Sequence, residues 1–118
     1  MDNTSVALGD TVRFRLVLSN RTDSVVSFAF PSGLSHDFEV YPNGASEPLW
    51  RWSDGRMFDQ MLHPIHLASG DSIVFEGLWG GDTPKGLALL GKYIVKGRVF
   101  TLPPLKDAVD SLNFFLVD

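Results

Sequence analysis

The chain has 118 residues, 44% of them hydrophobic and 9 of them phenylalanine, enough apolar material for one core in a single domain spanning residues 1–118. A formal net charge of -4 and a pI near 5.2, with no run of either sign, lack the basic stripe of a nucleic-acid binder. The absence of cysteine excludes disulfides and thiolate metal sites, as suits a reducing compartment.

The chain opens on the polar run Met1-Asp2-Asn3-Thr4-Ser5, and no apolar run reaches membrane-spanning length. No export signal and no membrane partner are expected, and a cytoplasmic location follows as an expectation. Residues 11–19 alternate, with Val12, Phe14, Leu16 and Leu18 on one face and Arg13, Arg15, Val17 and Ser19 on the other. This is the period of a half-buried strand. Residues 24–30 resume with Val26, Phe28 and Phe30 in phase, and the polar run 20–23 is expected to join the two as an antiparallel pair. Pro31-Ser32-Gly33 breaks the second strand. A third follows over 36–41, with Asp37, Glu39 and Tyr41 on one face and His36, Phe38 and Val40 on the other.

After the turn Pro42-Asn43-Gly44, a strand over 49–52 places Trp50 and Trp52 on one face and Arg51 on the other. Asp54-Gly55 then supplies residues that tolerate positive φ. From 56 to 62 the pattern is divided: the i,i+4 pairs Met57/Met61 and Phe58/Leu62 suit a helical turn, and a continued strand is the alternative. Beyond the turn 68–71 another strand alternates up to Trp79. Residues 80–91, with five glycines or prolines around Leu87, Leu89 and Leu90, predict no regular structure. Strands over 93–100 and 112–117 complete an all-β chain: an immunoglobulin-like antiparallel β-sandwich of about seven to nine strands. Tyr93, near the start of the penultimate strand, matches the position of a tyrosine corner.

Catalytic and cofactor chemistry finds little footing. His63 and His66 flank Pro64 in an extended segment, so they point to opposite faces, and no third metal ligand is near. Ser32, His36 and Asp37 lie too close in sequence for the acid to orient the ring, and no nucleophile elbow accompanies them. The glycines of 77–86 lack the Gly-Lys-Ser/Thr ending of a phosphate loop. Trp50, Trp52 and Trp79 form either a sugar-stacking platform or, as buried tryptophans more often do, part of the core. The expectation is a non-enzyme without metal or cofactor.

One long constellation carries a resemblance. It comprises Phe30-Pro31-Ser32-Gly33, then Asp37-Phe38-Glu39-Val40, then Leu49-Trp50-Arg51-Trp52-Ser53-Asp54-Gly55-Arg56-Met57-Phe58 and Gln60. Ser69-Gly70-Asp71-Ser72, Trp79 and Gly91-Lys92-Tyr93-Ile94-Val95-Lys96-Gly97 follow it. Together these resemble the signature of the BsuPI family of bacterial intracellular proteinase inhibitors. Leu34, His36 and the pair Leu89-Leu90 depart from the family pattern. The resemblance implies an immunoglobulin-like sandwich whose partner is an intracellular subtilisin-type serine protease. It assigns structural roles to Phe30, Pro31, Gly33, Asp37, Phe38, Trp50, Arg51, Trp52, Ser53, Gly55, Phe58 and Gln60, and carries over no inhibitory residue. Exposed apolar side chains suited to a protease's primary pocket are sought at Met57 on one loop and at Leu87 and Leu89 on another. A non-inhibitory protein-interaction module on the same fold is the alternative.

Overall fold

The computed structural model describes residues 4–83, 86–105 and 109–117. Eleven strands and no helix occur among them. They are β1 (Thr4–Ala7), β2 (Val12–Ser19), β3 (Val26–Phe30), β4 (His36–Pro42), β5 (Trp50–Arg51), β6 (His63–Leu67), β7 (Ser72–Trp79), β8 (Asp82–Thr83), β9 (Gly86–Leu87), β10 (Gly91–Val99) and β11 (Val109–Val117). One layer is a five-stranded sheet in the order β1-β11-β10-β4-β5, antiparallel throughout except that β1 runs parallel to β11. The facing layer is the β2-β7 ladder, with a second ladder, β3-β6, folded beside it.

Period-two patterning places the inner faces. Phe14 of β2 meets Phe38 and Phe114 across the layers at ring separations of 5.8 Å each. Trp79, 1% exposed, touches Trp50, Tyr93 and Phe114. The sandwich core is therefore largely aromatic. Phe30 reaches Phe75 at 6.2 Å, which brings the β3-β6 ladder back over the β7 side of that core.

Three sequence expectations change. β2 and β3 are not paired with each other; β2 takes β7 and β3 takes β6. The reason is Asn20, whose buried amide donates to the carbonyls of Ser24 and Leu67 while its oxygen accepts from the Thr22 N–H and hydroxyl. Its own backbone N–H goes to Asp71, so the β2-β7 ladder runs on instead of closing a hairpin. Residues 80–91 contain the short β8-β9 pair, with Asp82 opposite Leu87 and Thr83 opposite Gly86. Residues 56–62 form neither helix nor strand.

The tyrosine corner is present. Tyr93 donates its hydroxyl to the Leu89 carbonyl at 2.6 Å, and burial raises its pKa against that hydrogen bond. No helix among the described residues is long and apolar enough to cross a membrane.

Candidate functional site

The tryptophan strand and its turn are held by charge on one side and rings on the other. Arg51 stands opposite Glu39 in the β4-β5 ladder and donates Nε to Oε2 at 3.0 Å, while Arg98 of β10 donates to Oε1. Glu39 is only 8% exposed. Burial alone would raise its pKa, but hydrogen bonds from Arg98 and Arg51 prevail and hold the carboxyl below its ordinary range. Asp37, on the same face and also buried, accepts from the Ser53 N–H at 3.0 Å and the Ser53 hydroxyl at 2.6 Å. Ser53 is thereby fixed at the mouth of the turn that Gly55 completes at φ +77°.

On the inner face, Trp50 packs on Phe14 and Trp79, and Trp52 stacks on His36 at 4.6 Å. The expected division of faces holds: both indoles go to the core and Arg51 goes to Glu39. Gly77 makes room for them, because a Cβ there would lie 2.7 Å from Phe38 Cδ2 and 3.0 Å from Trp52 Cδ1. With Trp79 buried and the other two indoles packed against core rings, the three do not form an open sugar-stacking platform.

The segment leaving this turn is a pinned, exposed loop. Arg56 donates Nε to the Trp52 carbonyl at 2.8 Å and lays its guanidinium 4.2 Å from the Trp52 ring centroid. Phe58 packs against the same indole, with its ring centroid 6.0 Å from that of Trp52. The Asp59 carbonyl accepts from the Gly33 N–H at 2.9 Å, and its carboxylate accepts from the Met61 N–H and meets His63 Nε2 at 2.8 Å. The His63 and Met61 hydrogen bonds lower the Asp59 pKa. Gly33 is close-packed here, since a Cβ would meet Asp59 atoms at 3.1 Å. Between these anchors Met57 is 98% exposed, and Met61 and Leu62 are also out in solvent. Gln60 is exposed beside them, and Pro31 is exposed where β3 ends.

The second loop is also tied down. Ala88 is buried and donates its N–H to the Gly81 carbonyl at 2.8 Å, and Trp79 donates its indole N–H to Asp82. Leu89 is 81% exposed; the Leu87 side chain lies outside what the structure describes. The two loops stand at opposite ends of the sandwich. β10 begins at Gly91, just after Leu89 and Leu90, with Lys92 bonded to Asn43, and ends at Val99 opposite His36, where the Trp52–Phe58 loop is attached. Eight residues of strand separate those ends by roughly 25 Å.

The remaining polar residues are not drawn into a catalytic group. Asp37 serves Ser53, Ser32 Oγ accepts from the Leu34 N–H, and His36 Nδ1 lies 2.9 Å from Ser35 Oγ. His66 bonds Ser27 while His63 bonds Asp59. Among the described residues no three of His, Asp and Glu gather as a metal site. Glu39 and Arg56 lie within the constellation that carries the resemblance, but the sequence assigns neither a role. For Glu39 the alternation with Asp37 and Tyr41 was visible, but its arginine partners come from two other strands.

A search of curated proteins finds no match to the chain. The family model of BsuPI, described as intracellular proteinase inhibitor, matches residues 1–102, which include the Trp-Arg-Trp-Ser-Asp-Gly segment and both loops; the chain belongs to that family.

Proposed function

We propose that this chain inhibits a serine protease of the subtilisin type in the cytoplasm, and that the loop of residues 53–62 enters the protease cleft with Met57 at its tip. One observation carries the choice of loop: Met57 is 98% exposed between two neighbours, Arg56 and Phe58, that are both held against Trp52. Presenting an apolar side chain on a backbone already ordered lowers the entropy lost on binding. A long, unbranched thioether suits an apolar primary pocket. The chain itself performs no chemistry in this reading; it occupies the cleft. Leu87 and Leu89 belong to a loop at the other end of the molecule, so they serve as the rival contact rather than a second half of the same one.

Titration of the purified chain against an intracellular-type subtilisin, followed with a chromogenic peptide, tests both levels. Stoichiometric loss of activity with the chain left intact supports inhibition. Met57→Asp then weakens it at least a hundredfold while Leu89→Asp leaves it unchanged. The reverse result transfers the contact to the second loop, and full protease activity or digestion of the chain overturns the inhibitor reading.

A further inference from the structure

The two layers of the sandwich are unequal, five strands against the two of the β2-β7 ladder, and the difference leaves an open slot. β2 lies over β10 and β11: Phe14 touches Phe114, and a Cβ on Gly97 would meet Leu16 Cδ2 at 3.2 Å. β7 lies over β4 and β5, through Gly77 on Phe38 and Trp79 on Trp50. β1, which might have flanked β2, instead pairs with β11 at the level of 114–117. Among the described residues no strand lies above the first half of β11. A cavity of about 380 Å³ opens there, lined by Arg13, Arg15 and Leu16 of β2, by Val95, and by Asp110 and Leu112 of β11.

The edge of β2 that borders this slot is ready for pairing. Asn20, just past the strand, donates its N–H toward the β7 side, to Asp71. Alternation then turns the even residues of β2 toward β7 and leaves the N–H and C=O of Arg13, Arg15 and Val17 facing outward. Among the described residues β2 has no other strand neighbour. The side chains flanking that edge are cationic: Arg13 reaches Glu76 only at 4.0 Å and largely in solvent, and Arg15 has no ion-pair partner among the described residues. Inside the slot the apolar lining of Phe14, Leu16, Val95 and Leu112 is joined by Ser111 and by Asp110, whose Oδ1 already accepts from the Ser111 N–H.

We propose that the slot accepts an extended peptide strand from a partner protein, added to β2 as a third strand of the smaller layer. Main-chain bonds to Arg13, Arg15 and Val17 give affinity, and side-chain alternation gives selectivity. The strand carries acidic residues on the outward face beside Arg13 and Arg15, and apolar residues on the inward face toward Leu16, Val95 and Leu112. Met57 does not line this slot, although Arg13 at its rim also borders the cavity that Trp52 and Arg56 line.

The test uses the intact chain and a synthetic peptide, acetyl-Glu-Val-Glu-Ile-Glu-Val-Asp-amide, followed by amide NMR and hydrogen exchange. Binding is expected with protection of the Arg13, Arg15 and Val17 amides. A tenfold or greater loss is expected on Arg15→Glu, and on replacing the peptide's acidic residues with lysine. The same peptide with its central isoleucine changed to proline should not bind. Absence of binding at millimolar peptide overturns the proposal. So does protection confined to the β7 edge, or equal affinity for the lysine peptide. Sedimentation of the chain alone provides a further check: a dimer that protects the same β2 amides would make a second copy the occupant and refute the heterologous partner.

Discussion

Asp37 shows how a single side chain converts a strand into a platform. Its two oxygens take both donors of Ser53, so the turn after the tryptophan strand starts from a fixed point. Asp37→Ala leaves the half-buried Ser53 donors without their charged acceptor and is expected to cost about 1–3 kcal/mol in chemical denaturation. Gly77→Ala acts by a different route, since the added methyl would overlap the Phe38 ring in a packed core. It should destabilise by about 1–3 kcal/mol, read as a lower urea midpoint at unchanged slope. Glu39 and His36 give the fold its acid sensitivity, each in its own window. Glu39 has a depressed pKa from its two arginines, so its contribution is complete above the ordinary carboxylate range and is lost as pH falls through the folded value. His36 is depressed chiefly by burial, with the nearby Arg56 adding to this and Asp37 and the Glu76 backbone opposing it. The unfolded chain therefore takes up its proton first, and stability declines as pH drops below 6.5 toward the folded value. In His36→Phe the loss between pH 7 and pH 5.5 should vanish while the Glu39 loss at lower pH remains, as thermal melts across that range would show.

At the scale of elements, the loop of residues 53–62 behaves as an extension of the sheet. Its anchors are Arg56 on Trp52, Phe58 against Trp52, and Asp59 on Gly33 and His63. Arg56→Ala removes the cation–π contact and the carbonyl bond without touching Met57. It is expected to weaken protease inhibition about tenfold through a faster off-rate, with fold stability changed by less than about 1 kcal/mol, because an exposed cation–π contact contributes no more than that. Stopped-flow dissociation beside a denaturation curve separates the two effects. An unchanged off-rate would show that the loop's order does not come from this anchor. The sequence already held the signs of the strand and turn, in the alternation of 49–52 and the Asp-Gly step. For Met57 it left two readings open, an exposed side chain on a loop and a member of a helical turn in i,i+4 register with Met61; residues 56–62 form no helix, and the side chain stands 98% exposed.

For the molecule as a whole, period two made β2, β4, β7 and β10 legible, and the tyrosine corner could be anticipated from the placement of Tyr93. Partner choice was not legible. The polar run after Ser19 has the composition of a hairpin turn, yet Asn20 spends its four hydrogen bonds holding a corner between two ladders. Replacing Asn20 by Ala leaves the Leu67 and Ser24 carbonyls and the Thr22 donors short of partners at once. A loss of about 2–4 kcal/mol is expected from several broken bonds at one buried site. Hydrogen exchange should show the β3-β6 ladder opening before β2-β7. If both ladders open together, the corner is not the weak point of the sandwich.

The stacking of His36 on Trp52 also gives the protein an internal optical reporter. A protonated imidazole held 4.6 Å from an indole accepts an electron from its excited state far more readily than a neutral one does. Trp50 and Trp79, 5.8 Å apart, are the other emitters and lie away from that ring. Steady-state emission should therefore dim in one component as His36 gains its proton, while the red shift of unfolding comes later and involves all three indoles. The titration of one half-buried side chain thus becomes separable by colour and lifetime from the loss of the fold it helps to hold.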